Sequence, residues 1–253
     1  MADKNYEFPT EVISLPSEGK CYPEGHPLAS GQVTIKYMTA KEEDILSSQN
    51  LIKKGIVLDK LLESVVVDTS IDDLVTGDKN AIMLATRILG YGANYQVELT
   101  DPFSGERQQV TIDLSKVKTK DIDYTKLKRD NKYEFTLPQT GKKIKFKLLS
   151  HRDEKDVQAE VAALEKLSKG ANPVEVTTRL RKMIIEVEGN AERGFINNWV
   201  SNQLLAQDSR ALRAHVREFA PDLDLKFQFT SDITGETEAL DIPFGVSFFY
   251  PSN

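Results

Sequence analysis

The sequence predicts an α+β fold with an internal duplication, each half carrying small antiparallel β-hairpins and a helical cluster. Three observations lead there. Segments with the two-residue alternation of strands are joined to segments of helical pattern. The elements come in the same order in both halves of the chain. Three stretches of the first half match three of the second, also in order.

Residues 6–31 contain Pro9, Pro16, Gly19, Pro23, Gly25, Pro27 and Gly31. Proline lacks an N–H and clashes with the preceding turn, so a long helix is disfavoured there. Residues 11–16 read as a short extended piece and 21–31 as a loop. From Gln32 to Tyr37, Val33, Ile35 and Tyr37 alternate with Thr34 and Lys36, the mark of a half-buried strand. Thr39 and Glu42 have the spacing of a capping box, which opens a helix through about Lys53 that Gly55 ends. Residues 56–67 are apolar, and their β-branched end leaves helix and strand both open. Asp78 is placed to cap a helix over 79–89, stopped by Gly90 and Gly92. Residues 95–99 and 109–114 flank Thr-Asp-Pro-Phe-Ser-Gly-Glu as a hairpin.

Residues 115–130 are polar and lysine-rich with no apolar period, and read as a linker. The domains expected are therefore a first α+β repeat over 1–114, the linker, and a second repeat over 131–253. The second opens with a hairpin, 132–137 and 142–149, around a Pro-Gln-Thr-Gly turn. Ser150 and Asp153 then cap a helix to about Ser168. Asn172-Pro173 starts another, with proline at its favoured first position. Residues 195–206 and 209–219 are two more, divided near Asp208. Residues 225–229 and 239–250 flank Ser-Asp-Ile-Thr-Gly-Glu as the last hairpin.

The matches carry the duplication. Residues 13–20 align with 135–142 at an offset of 122, 33–43 with 144–154 at 111, and 97–106 with 227–236 at 130. The first half then holds 11 more residues in its Pro/Gly loop (122 less 111), and the second 19 more in its helices (130 less 111). Loops absorb insertions cheaply because closure entropy grows only logarithmically with length. Asp101-Pro-Phe-Ser104-Gly105 and Ser231-Asp-Ile-Thr234-Gly235 have the shape of zinc-knuckle turns with every cysteine replaced. Zinc needs thiolate or imidazole donors there, so two metal-free turns are expected, with glycine supplying a positive φ.

Composition narrows the function classes. The 253 residues are 40% hydrophobic and 28% charged with net charge −6, an ordinary globular balance and a poor one for a dedicated nucleic-acid binder. A single cysteine, Cys21, builds neither an internal disulfide nor a thiolate zinc site alone. No apolar run approaches a membrane span, and the polar N-terminus lacks a signal-peptide core. The expected setting is a reducing cytosol.

No catalytic constellation stands out. His26, His151 and His215 are the only histidines, and none lies in a metal-binding or nucleophile motif. Arg210, Arg213 and Arg217 near His215 would disfavour its protonation if they face it. There is no phosphate loop, and Gly90-Tyr-Gly92 follows a helix rather than a strand. Glu42, Glu43 and Asp44 suit a helix first turn. Asp72-Asp73 lacks the ligand alternation of a calcium loop. Cys21 has no local base. The expectation is no enzyme, no metal and no cofactor. Lysines crowd residues 116–147, and Lys143, Lys145 and Lys147 share one strand face. A solvated face guarding a strand edge, or contact with an acidic protein, is preferred to nucleic-acid binding. On exposure alone, Tyr22, Pro23, His26 and Leu28 in the first loop and Phe248, Phe249 and Tyr250 at the C-terminal end are the expected partner-binding residues.

Leu15-Pro16-Ser17 with Gly19, then Tyr22-Pro23, then Tyr37-Met38-Thr39-Ala40-Lys41-Glu42-Glu43 are the clearest marks of a longer similarity. It takes in residues 15–46, 48–68 and 77–95. These stretches closely resemble the baseplate protein family of T4-like contractile-tailed bacteriophages, described as baseplate hub subunits or hub assembly proteins. The resemblance is strongest from Pro9 to about Gly105 and looser to the end. It implies a structural or adaptor protein of the baseplate hub, acting by protein–protein contacts in virion assembly. The alternative is a transient hub assembly factor absent from the mature virion; a nucleic-acid-binding module ranks third. Implied partners are other baseplate hub proteins, with no membrane. The implied location is the host cytoplasm during assembly, or the virion tail. No catalytic residues carry over. Some members keep cysteines at the hairpin turns where this sequence does not.

Overall fold

The computed structural model describes residues 9–167 and 175–249. The expected helix start at Asn172-Pro173, Tyr250 and the chain beyond it lie outside the described residues. The architecture is mixed α+β, with small antiparallel sheets and eight α-helices among the described residues.

In the front half, β1 (Thr10–Ser14) pairs antiparallel with β2 (Gln32–Lys36), Ile13 opposite Val33. Val33 and Ile35 are buried as the alternation requires. The single helix expected next is two, α1 (Ala40–Ser47) and α2 (Gln49–Lys53), because Ser48 between them is extended, with ψ 103°. The ambiguous apolar run splits as well. α3 (Val57–Val65) buries Val57, Leu61, Leu62 and Val65 at helical spacing. Its β-branched tail leaves the helix to join β2, through an Ile35–Val66 bridge and the Val67 N–H on the Thr34 carbonyl.

Helix α4 (Thr76–Tyr91) starts before the predicted Lys79, with Val75 as its N-cap; Asp78 sits inside the first turn instead of capping it. The early start brings Gly77 against the Pro221–Asp222 backbone, where a Cβ would lie 2.0 Å from the Pro221 carbonyl oxygen. Strands β3 (Asn94–Thr100) and β4 (Arg107–Asp113) form the predicted hairpin, Val97 opposite Val110.

Residues 115–130 run along the rear half rather than away from it. The Lys120 N–H donates to the Asp222 carbonyl and the Asp224 N–H to the Lys118 carbonyl, both at 2.8 Å. Leu114 and Leu127 at either end are buried.

The rear half opens with β5 (Tyr133–Thr136) and β6 (Lys143–Phe146). Helix α5 (His151–Leu167) and α6 (Glu175–Met183) lead to β7 (Ile184–Val187), a strand not anticipated, which completes the order β5-β6-β7. Helices α7 (Arg193–Asn202) and α8 (Ala206–Phe219) break at 203–205, so Asp208 falls inside the first turn of α8. The last hairpin, β8 (Lys226–Thr230) and β9 (Thr237–Asp241), is shorter than predicted. Ile242 still donates to the Leu225 carbonyl, but Pro243 has no N–H for the ladder, and Val246–Phe249 is a 3-10 turn.

One contiguous core draws on both halves, from Leu62 and Ile82 to Phe146, Trp199 and Phe248. Polar bonds tie the seam. The His151 N–H donates to the Leu74 carbonyl at 2.8 Å. Lys79 Nζ lies 3.2 Å from Asp59 and 3.1 Å from His151 Nδ1. The other ring nitrogen, Nε2, lies 3.1 Å from Asp59 Oδ1. No described helix is long and apolar enough to cross a membrane.

Candidate functional site

Most residues expected to meet a partner are core. Tyr22 and Leu28 are 3% and 0% exposed, and Phe248 and Phe249 are each 0% exposed. The first loop folds inward because Leu28 packs beneath a 3-10 turn capped by His26, whose Nδ1 accepts from the Leu28 N–H. Tyr22 stacks on His26 at 5.5 Å, and Pro23 stays exposed. Phe248 meets Tyr95 and Phe244 edge-on or tilted at 5.1 and 4.7 Å. The buried Arg87 holds the Phe248 carbonyl through Nε at 2.9 Å. The exposure on which these four residues were selected is therefore absent.

Beneath the first turn lies Asp78, 0% exposed. Its carboxylate accepts from the Ser17 N–H (2.9 Å), the Ser17 hydroxyl (2.6 Å) and the Tyr22 hydroxyl (2.5 Å). Burial pushes its pKa up despite these donors, and burial beside the Asp78 charge pushes Tyr22 up. In the rear half Asp208, also 0% exposed, accepts from the Gln139 N–H (2.8 Å), the Thr140 N–H (3.2 Å) and the Thr140 hydroxyl (2.8 Å). Each aspartate is the third residue of its helix, where the dipole favours a carboxylate, and each holds the turn between the first two strands of its half.

The capping boxes are both present. Glu42 accepts from the Thr39 N–H and hydroxyl, Ser64 and Lys36. Burial would raise its carboxyl, but these donors hold it down at about 2. Asp153 accepts from the Ser150 N–H and hydroxyl and from Lys147 at 2.7 Å; burial opposes and these donors depress its pKa.

The two hairpin turns touch. Asp101, 1% exposed, accepts from the N–H groups of Phe103 and Ser104 and the Ser104 hydroxyl. Ser231 Oγ accepts from the N–H groups of Ile233 and Thr234 and donates across to Asp101 Oδ2 at 2.5 Å. Burial would raise the Asp101 carboxyl, but the hydroxyls of Ser231 and Ser104 and the two N–H groups hold it at about 2. Gln108 adds a second tie, donating to the Thr230 carbonyl (2.9 Å) and accepting from the Asp232 N–H (3.0 Å). With four donors on it, the Asp101 carboxylate has its lone pairs occupied. Among the described residues, no group of three or more His, Cys, Asp or Glu is placed to hold a metal. Sequence reasoning found the two turns but not their contact; the shared offset of 130 was the available signal.

Part of the lysine face is neutralised from within. Lys145 pairs with Glu186 at 2.9 Å and Lys147 with Asp153, while Lys126 and Lys116 meet Asp123 and Asp113. His215 stacks between Phe135 and Phe219, and burial first, with Lys126 adding to it, lowers its pKa; the arginines are not the cause. Cys21 is buried, its thiol pushed up to about 12 by desolvation, which leaves no thiolate at neutral pH. A cleft of about 790 Å³ between α4, α6 and α8 has Leu149, Met183 and Val216 in its lining, beside Arg179. Glu154 and Glu175 hold that arginine.

Residues 9–132 match the sequence model of the family described as T4 bacteriophage base plate protein. Neither curated proteins nor solved structures gave a match.

Proposed function

Because the chain is a T4-like base plate protein, as its match over residues 9–132 shows, we propose that it is a structural or adaptor component of the base plate hub. It works by holding other proteins in place in a contractile tail, without catalysis or cofactor. The family match is the observation that carries this reading. Assembly takes place in the host cytoplasm, and the partners are other hub proteins.

The finer part of the proposal is a twice-used fold, with repeats over 1–114 and 131–253 joined by 115–130. Its support is that matched residues make matched contacts. Lys36–Glu42 and Lys147–Asp153 are ion pairs at the offset of 111. Asp78 and Asp208 grip their turns at the offset of 130. Asp101 and Ser231, also 130 apart, each bind the N–H groups two and three residues on. The turns are knuckle-shaped, with side-chain hydrogen bonds in the place of metal. A duplicated body presents two similar surfaces in one chain and so suits a bridge between neighbours.

Mass spectrometry of sedimented base plates and of finished particles tests the reading. A structural component gives stoichiometric peptides in both. Peptides in assembling base plates alone select the transient assembly factor, and absence from both removes the proposal. A nucleic-acid role predicts binding that falls steeply with salt.

A further inference from the structure

Among the described residues few large apolar side chains are exposed, and two of them occupy matched positions on the touching turns: Phe103, 37% exposed, and Ile233, 65% exposed. Each is the third residue of its turn, 130 apart in sequence. The contact between Asp101 and Ser231 makes the two turns one composite tip.

The tip is built rigidly. The Phe103 N–H is tied to Asp101 at 2.8 Å and the Ile233 N–H to Ser231 at 3.2 Å. Gly105 and Gly235 close the turns at φ 78° and 74°, and their N–H groups donate to the carbonyls of Asp101 and Ser231. A preorganised apolar pair loses little freedom on docking. Its rim is acidic. Glu106, Asp232, Glu236 and Glu238 are exposed, and none of them is in an ion pair among the described residues. The one basic residue beside the turns, Arg107, is engaged by Glu98 at 3.2 Å.

We infer that this composite tip is a docking prong. It inserts Phe103 and Ile233 into an apolar cleft, rimmed by lysine or arginine, on a neighbouring base plate subunit. The charge of the rim selects that partner: four uncompensated carboxylates repel an acidic cleft and reward a basic one. The inference rests on the base plate reading and deepens it.

The test uses the full chain, expressed during infection, with a photo-crosslinking amino acid at position 103, at 233, or at the exposed Val176 on α6 as control. Sedimented assembling base plates are irradiated and the joined peptides sequenced. Positions 103 and 233 should reach the same neighbouring subunit, on peptides where lysine or arginine flanks apolar residues, and Val176 should not. A Phe103→Ser, Ile233→Ser double variant should melt as the parent does, since both side chains are exposed. It should enter base plates about tenfold less well, as expected for the loss of interface anchors. Crosslinks to different subunits, to acidic peptides, to a second copy, or no more than the Val176 control would overturn the prong. So would normal incorporation of the double variant. If the chain is in base plates but the tip is silent, only the prong fails. If the chain is missing from base plates, the base plate reading fails and the prong with it.

Discussion

The turn over Asp78 and the turn over Asp208 do one job at different depths. Both aspartates stand in the first turn of a helix and hold the link between two strands. The front carboxylate is sealed by Tyr22 from the first loop, and Tyr22 also accepts from the Val75 N–H. The rear carboxylate meets Gln139 and Thr140, both exposed. Both carboxylates are buried, but the front one keeps its donors in the core while the rear one takes them from an exposed turn. The cost of breaking a hydrogen bond depends on whether water can replace the lost partner.

Asp78→Ala should therefore be the most damaging change, about 3–5 kcal/mol by denaturant unfolding, because it strands three donors in the core. Asp208→Ala should cost about 1–2 kcal/mol, since water reaches its donors. Equal losses would break the comparison. Tyr22→Phe sharpens it: the ring stays and one hydroxyl goes, for about 1–2 kcal/mol. Among the described residues Asp208 has no counterpart of the Tyr22 hydroxyl; its one hydroxyl donor is Thr140.

The capping boxes give a smaller contrast. Glu42→Gln should cost about 1 kcal/mol, the usual worth of a cap, and Asp153→Asn somewhat less because it has no counterpart of Ser64. Glu42 also sets a pH signature. A carboxyl held at about 2 when folded, against 4.5 unfolded, contributes stability that is complete above 4.5 and lost as pH falls toward 2. The Glu42→Gln unfolding midpoint should accordingly fall less than the parent's across that window. Asp78 has the opposite sign. Its raised folded pKa means that stability is lost as pH climbs above its unfolded value of 3.8. Lys36→Ala and Lys147→Ala should have the smallest effects, each at or below about 1 kcal/mol, since both lysines keep partial solvent contact.

What was legible in the sequence was local. The capping boxes depend on residues three apart, and the hairpin turns on alternation around glycine, so both appear where predicted, although the last hairpin's second strand ends at Asp241. The aligned stretches included Lys36–Glu42 with Lys147–Asp153 and Asp101 with Ser231, but not Asp78 with Asp208. What was not legible depends on distant partners. Ile184–Val187 becomes a strand only because β6 lies beside it, straight out of a helix with no turn signal. Tyr22 sits among prolines and glycines that read as surface, but Asp78, 56 residues away, draws it inward. Phe248 and Phe249 fall in the segment read as the last hairpin strand; after Pro243 they enter a 3-10 turn and both are buried. The Asp101–Ser231 contact spans 130 residues and has no local mark.

Crosslinking mass spectrometry of isolated base plates addresses the central claim, that the chain holds neighbouring subunits through both of its halves. Lysine-directed crosslinks to other subunits should arise from residues 9–114 and from residues 131–249 alike. Crosslinks confined to one half, or base plates that lack the chain at every stage of assembly, would contradict it.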